Sequence, residues 1–129
     1  MIADNVKKIP IHAVVTCTVE ASIDEIAKKL RDKKERRIFV IDKNEKLSGI
    51  ITTTDLVYKA LCNCKQVEKM KAKDVMVKEV KAVDVNNSLE NALEIMNDLK
   101  TLTCPVVDNG KIIGVLSYHE LVNHVFNKL

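Results

Sequence analysis

The chain has 129 residues, 47% of them apolar and 30% charged, with a net charge of +3, four cysteines and only four aromatic side chains. That balance excludes a disordered polar chain, and apolar runs of four or five residues at most exclude a membrane-spanning helix. The opening MIADNVKKIP lacks the apolar stretch of a secretory signal, so the expected compartment is the cytoplasm and the cysteines are expected to be reduced.

In chain order, a short strand is expected around Val14–Val19, then a helix capped by Ser22 whose apolar face is Ile23, Ile26, Ala27 and Leu30. A dense basic run follows, with Lys28, Lys29, Arg31, Lys33, Lys34, Arg36 and Arg37 inside ten residues. Such a run coats a solvated helix end or meets phosphates, and the absence of aromatics within it leaves little stacking surface for single-stranded bases. Strands are expected over 38–42 and 47–52, joined by a Lys-Asn-Glu-Lys turn, followed by an amphipathic helix carrying Leu56, Val57, Ala60 and Leu61. Residues 63–76 are read as the connection, with Asp74-Val75-Met76 leading onward. Cys62 and Cys64 have a faint metal flavour, but a lone CxC lacks the second ligand pair zinc needs.

The same order then returns. A strand around Val80–Val85, a helix capped by Ser88 with Leu89, Ala92, Leu93, Met96 and Leu99, strands 104–108 and 111–117 about an Asn109-Gly110 hairpin, and a helix with Leu121, Val122, Val125 and Phe126 complete a second copy. Asp42 and Asp108 lie 66 positions apart, as do Ser22 and Ser88, while Gly49/Gly114 and Leu56/Leu121 lie 65 apart. Each copy is about 60 residues, a size marginal alone, so the two are expected to share one core in a single compact domain of mixed α/β class.

The segment with chemistry in it is Gly49-Ile50-Ile51-Thr52-Thr53-Thr54-Asp55, where a strand runs into a helix. Helix-start amides and threonine hydroxyls suit a phosphate, and a carboxylate can accept from both hydroxyls of a ribose. Thr-Thr-Asp is also the commoner thing, an ordinary capped helix start, and the residues alone leave both readings open. No Ser/His/Asp order stands out, and His12, His119 and His124 show no metal spacing. No complete phosphate loop is present, so catalysis is not expected.

GIITTTD closing the first copy, GVLSYHE closing the second, Cys104-Pro105-Val106-Val107-Asp108 and Asp74-Val75-Met76 together resemble the paired CBS domain, or Bateman module, over nearly the whole chain. The resemblance implies two pseudo-symmetric β-α-β-β-α CBS repeats packed as one module, with repeat 1 over 8–62, a linker and lead-in over 63–76, and repeat 2 over 77–127. It implies a regulatory module that binds an adenosine ligand (AMP, ADP, ATP or S-adenosylmethionine) in a cleft between the repeats, with no cofactor required. The first site would use Ile50 at the base, Thr52, Thr54 and Arg36 at the phosphate and Asp55 at the ribose. Met76, Lys81, Leu102 and Thr103 would be supplied by the second repeat. A weaker second site would use Pro10, Val15, Arg37, Val115, Ser117, His119 and Glu120. Glu120 departs from the family's Asp, His119 from its second hydroxyl, and Phe39 from its proline, the last expected to alter packing more than binding. The resemblance also implies a homodimer packed through the helix faces at 56–61 and 121–126, and an unknown effector protein reached in trans. The rival reading is a nucleic-acid-binding accessory protein using residues 28–37.

Overall fold

Two serines start the long helices in the same way, and each helix ends in the same way. In the computed structural model, which describes residues 5–63 and 65–128, the chain forms β1 (Thr16–Thr18), α1 (Ile23–Lys33), β2 (Arg37–Ile41), β3 (Leu47–Thr52), α2 (Thr53–Asp55), α3 (Ala72–Val75), β4 (Val83–Asp84), α4 (Leu89–Leu99), β5 (Thr103–Asp108), β6 (Lys111–Ser117) and α5 (Tyr118–Lys128). Ser22 Oγ accepts from Glu25 N at 3.1 Å and Ser88 Oγ from Asn91 N at 3.0 Å, each satisfying one of the orphan donors of a helix start. Lys34 and Lys100 close α1 and α4 in the left-handed region, at φ 55° and 53°. The amide after each reaches back to a carbonyl of the last turn: Glu35 N donates to Leu30 O at 3.0 Å and Thr101 N to Met96 O at 3.2 Å.

Among the described residues the strands make two three-stranded sheets, β1-β2-β3 and β4-β5-β6, each with a parallel first pair and an antiparallel hairpin. The second hairpin turns through Asn109 and Gly110, both at positive φ (53° and 82°), as the Asn-Gly pair predicts. The first uses Asp42, whose Oδ1 accepts from Asn44 N at 2.8 Å and Lys46 N at 3.0 Å. Its register sets Arg37 opposite Thr52, which brings the end of the basic run beside the threonine motif.

The chain divides into two units: Val14–Val80, and the N-terminal segment through Ala13 together with the chain from Lys81 onward. Each unit has its own buried cluster, which corrects the expectation of one shared core. In the first, Cys17, Ile26, Leu30, Ile38, Val40, Ile51, Ala60, Ala72 and Val75 are buried. In the second, Val6, Ile9, Val83, Leu89, Met96, Cys104, Leu116 and Leu121 are buried. Cys104 is the small buried hydrophobe its strand position implied. Burial also pushes the Cys17 thiol up to about 11, so it stays protonated. Cys62 is exposed, and Cys64 lies outside the described residues.

Two segments fall elsewhere than the repeat order implies. The stretch 63–76, read as a connection, contributes α3 to the first unit, because Ala72 and Val75 have apolar surface to bury and Ala72 N and Lys73 N donate to Ala21 O and Val19 O at 2.8 and 3.0 Å. The compact units of the fold divide after Val80. Residues 6–12, at the sequence start of the first copy, form a strap on the second unit, with Val6 and Ile9 in its core. The helix expected over 56–61 is a composite: α2 lasts three residues, then Leu56–Ala60 widens into a π-turn and Leu61–Asn63 tightens into a 3₁₀ turn.

Candidate functional site

The first unit carries a hollow of about 600 Å³ lined by Lys34, Glu35, Arg36, Arg37, Thr52, Thr53 and Thr54. Its shape follows from local structure. The left-handed turn at Lys34 stops α1, β2 begins at Arg37, and Arg36 O accepts from Thr53 N at 2.9 Å, which ties the basic run to the helix start. The Arg37 guanidinium lies over the Phe39 ring, 5.9 Å from its centroid, at the outer limit of a cation–π contact. Phe39, expected to alter packing more than binding, is buried and also lies under a cation lining the hollow.

Arg36, Thr52 and Thr54 of the first expected site line this hollow together with Arg37, which was expected at the second site, and with Lys34, Glu35 and Thr53; Ile50 and Asp55 are not among its lining residues. The signal for Lys34 was present in the basic run. What the run does not reveal is the turn that points its last members to one place. Lys28, Lys29 and Arg31 serve elsewhere: Lys28 Nζ lies 2.9 Å from Asp24, Lys29 Nζ 3.5 Å from Glu25 and 3.0 Å from Thr16 O, and Arg31 Nε 2.9 Å from Asp32.

Of the two open readings of Thr-Thr-Asp, the capped helix start is the one seen in the fold. Thr52 and Asp55 form a reciprocal capping box: Asp55 N donates to Thr52 Oγ1 at 3.1 Å, and Asp55 Oδ2 accepts from Thr52 N at 2.9 Å and from Thr52 Oγ1 at 3.0 Å. The single hydroxyl proton of Thr52 is thereby donated to Asp55, and the amides of Thr53 and Asp55 are already used. The donors facing the hollow are consequently the exposed Thr53 and Thr54 and the cationic side chains. The other Asp55 oxygen, Oδ1, lies 3.3 Å from Lys59 Nζ, which also donates to Val75 O at 3.1 Å.

Met76, expected from the second repeat, packs within the first compact unit. A Cβ on Gly49 would stand 2.6 Å from Met76 Sδ and 3.0 Å from Val77 O. This explains the glycine that opens GIITTTD: the lead-in lies directly on it, and Ile50 and Val77 exchange backbone hydrogen bonds at 3.0 and 2.9 Å. Lys81, Leu102 and Thr103 lie in the other unit, where Lys81 O accepts from Cys104 Sγ at 3.9 Å and Leu102 is 79% exposed.

Of the second set, Pro10, Val115, Ser117, His119 and Glu120 fall in the second unit, and Val15 and Arg37 in the first, where Val15 O accepts from Phe39 N at 3.0 Å. His119 Nε2 lies 3.1 Å from Asn123 Nδ2. Glu120 is engaged by His12, at 2.6 Å. The hollow matching that of the first unit is smaller, about 240 Å³, and is lined by Met96, Asn97, Lys100, Thr101, Leu102 and Tyr118.

The family model described as CBS domain matches residues 6–61 and 72–127, and the chain belongs to that family as a tandem pair. Such modules are commonly regulatory and ligand-binding. Protein MK0525 of Methanopyrus kandleri is 29% identical over 110 residues, covering 84% of this chain and 56% of the relative. YlbB of Bacillus subtilis is 30% identical over 106 residues, covering 81% and 71%. The chain thus spans little more than half the length of the first of these. A solved CBS domain, NE2398, is similar at 31% identity with a TM-score of 0.67, over 89% of this chain and 90% of that one. A CBS domain-containing protein from Bacillus anthracis shares the fold with a TM-score of 0.80 at 22% identity, over 98% and 96%. A match to homoserine O-acetyltransferase of Methanobrevibacter ruminantium, 26% identical, spans only 22% of that enzyme. Among the described residues no helix is long and apolar enough to cross a membrane.

Proposed function

We propose that the chain is a non-catalytic sensor module of the cytoplasm that binds a phosphate-bearing adenosine ligand at the first repeat and passes that occupancy in trans to a partner protein. The observation that carries this reading is the hollow of about 600 Å³ in which three cations and three threonines converge at the end of GIITTTD. Lys34, Arg36 and Arg37 outweigh Glu35, so the site favours anionic ligands in the order ATP, ADP, AMP. S-adenosylmethionine, whose sulfonium is itself a cation, is disfavoured by the same field. Asp55 Oδ1 takes the ribose as the Lys59 ammonium swings aside, Lys59 being 43% exposed, and Ile50 borders the base.

Ligand binding regulates only if it favours one arrangement of the module over another. The proposed assembly is a homodimer, for which Val57, Tyr58 and Leu61 (46, 70 and 62% exposed) and Phe126 (72%) supply apolar surface; sedimentation is expected to give twice the mass of the chain, and a monomer mass would reject the dimer.

Calorimetry with ATP, ADP, AMP, S-adenosylmethionine and a short oligonucleotide tests the reading. Asp55→Ala is a poor probe because it also removes a capping box. Arg36→Ala and Thr54→Val leave that box intact and are expected to weaken ATP binding about tenfold and about threefold. Unchanged ATP affinity in both variants rejects the site. An oligonucleotide that binds more tightly than ATP, with affinity falling steeply and log-linearly with salt, would instead establish the nucleic-acid reading.

A further inference from the structure

Glu120 stands where the first repeat has Asp55, and Ser117 where it has Thr52. The start of α5 repeats the first-copy geometry: Tyr118 N donates to Leu102 O at 2.8 Å as Thr53 N does to Arg36 O at 2.9 Å, and Ser117 Oγ accepts from Glu120 N at 3.4 Å. The carboxylate breaks the pattern. Glu120 is longer by one methylene, and its Oε1 lies 2.6 Å from His12 Nε2, on a residue 108 positions away. Its Oε2 is sealed from solvent with no hydrogen-bond partner among the described residues.

The imidazole is delivered by a rigid backbone. His12 N donates to Val115 O at 3.0 Å and His12 O accepts from Val115 N at 2.9 Å. A Cβ on Gly114 would stand 2.4 Å from Ile11 Cγ2 and 2.5 Å from His12 O, so the strap lies directly on that glycine. The first repeat builds the same bridge between Ile50 and Val77, but there the matching side chain is an isopropyl group that cannot engage a carboxylate. Asp55 meets the long, half-exposed Lys59 side chain from its own helix, whereas Glu120 meets a ring whose backbone is pinned by two hydrogen bonds.

We infer that His12 is a selectivity-determining residue: it occupies the Glu120 carboxylate in place of a ligand's hydroxyls, so the chain takes a ligand at the first repeat alone, and withdrawing the imidazole unmasks a site for the vicinal diol of an uncharged nucleoside. The inference rests on the adenosine reading of the first motif, which the second motif repeats. The uncharged class follows from the smaller hollow beside Tyr118, where Leu102 stands in place of Arg36 and Lys100 is the one cation among the lining residues. Without the cation cluster of the first repeat, phosphate gains little there.

The test is a titration of the ¹⁵N-labelled full chain with adenosine, followed at the amides of 52–55 and 117–120. In the parent, 117–120 are expected not to respond. His12→Val, which installs the first repeat's residue, is expected to give saturable shifts at 117–120, an affinity gain there of about tenfold or more. Glu120→Asp draws the carboxylate back while leaving the strap intact, and is expected to do the same should His12→Val fail to fold. Adding Glu120→Ala to His12→Val is expected to abolish the response. Shifts at 117–120 in the parent, or none there in either single variant, overturn the inference. Failure at 52–55 counts separately, against the first-repeat reading.

Discussion

Lys34 shows one residue held in an unfavourable conformation at a place where its charge is useful. Lys34 and Lys100 occupy the same left-handed cap, a position at which a residue with a Cβ costs about 1 kcal/mol relative to glycine. Lys34→Gly and Lys100→Gly are each expected to raise stability by about 0.5–1 kcal/mol in urea unfolding. Only Lys34→Gly should weaken ATP binding in calorimetry, because Lys100 lines the smaller hollow. The lysines were readable in the sequence, but their backbone conformation was not, since a left-handed cap is usually filled by glycine and the chain has only three. Asp55 makes the complementary case: its place in the motif was legible, while its commitment to Thr52 and Lys59 required coordinates.

Between elements, the two motif glycines are spacers for the segments that lie on them. Gly114 faces a backbone carbonyl 2.5 Å from its hypothetical Cβ, whereas the nearest atom to that of Gly49 is the movable Sδ of Met76. Gly114→Ala is therefore expected to cost more, about 2–3 kcal/mol against about 1–2 for Gly49→Ala, by urea denaturation. Met76→Ala should recover part of the Gly49→Ala loss, although Val77 O remains close. Hydrophobic periodicity placed α1, α4 and α5 well because each has a continuous apolar face. It missed the π-turn over Leu56–Ala60, since widening a helix by one residue per turn changes its hydrogen bonding without marking the side-chain pattern.

For the whole molecule, sequence order and core membership differ. Ile9 opens the first repeat in sequence but is buried with Val83, Leu116 and Leu121 of the second. Ile9→Ala is expected to destabilise by about 2–4 kcal/mol, with hydrogen exchange accelerating at Val83 and Leu116 while Val40 and Ile51 keep their protection. Protection lost equally in both sets would mean that the two cores unfold as one. The sequence by itself determined the element order, the two-fold repetition, the hairpins and the serine caps, because these depend on residues close together in the chain and on the period of apolar side chains. It located the motif for the same reason. Only the tertiary structure decided which core receives residues 6–12 and 70–77, that the basic run converges on the threonines, and that His12 holds Glu120. Those outcomes depend on contacts between residues tens of positions apart, where an apolar segment has more than one surface available to it and a charge more than one partner.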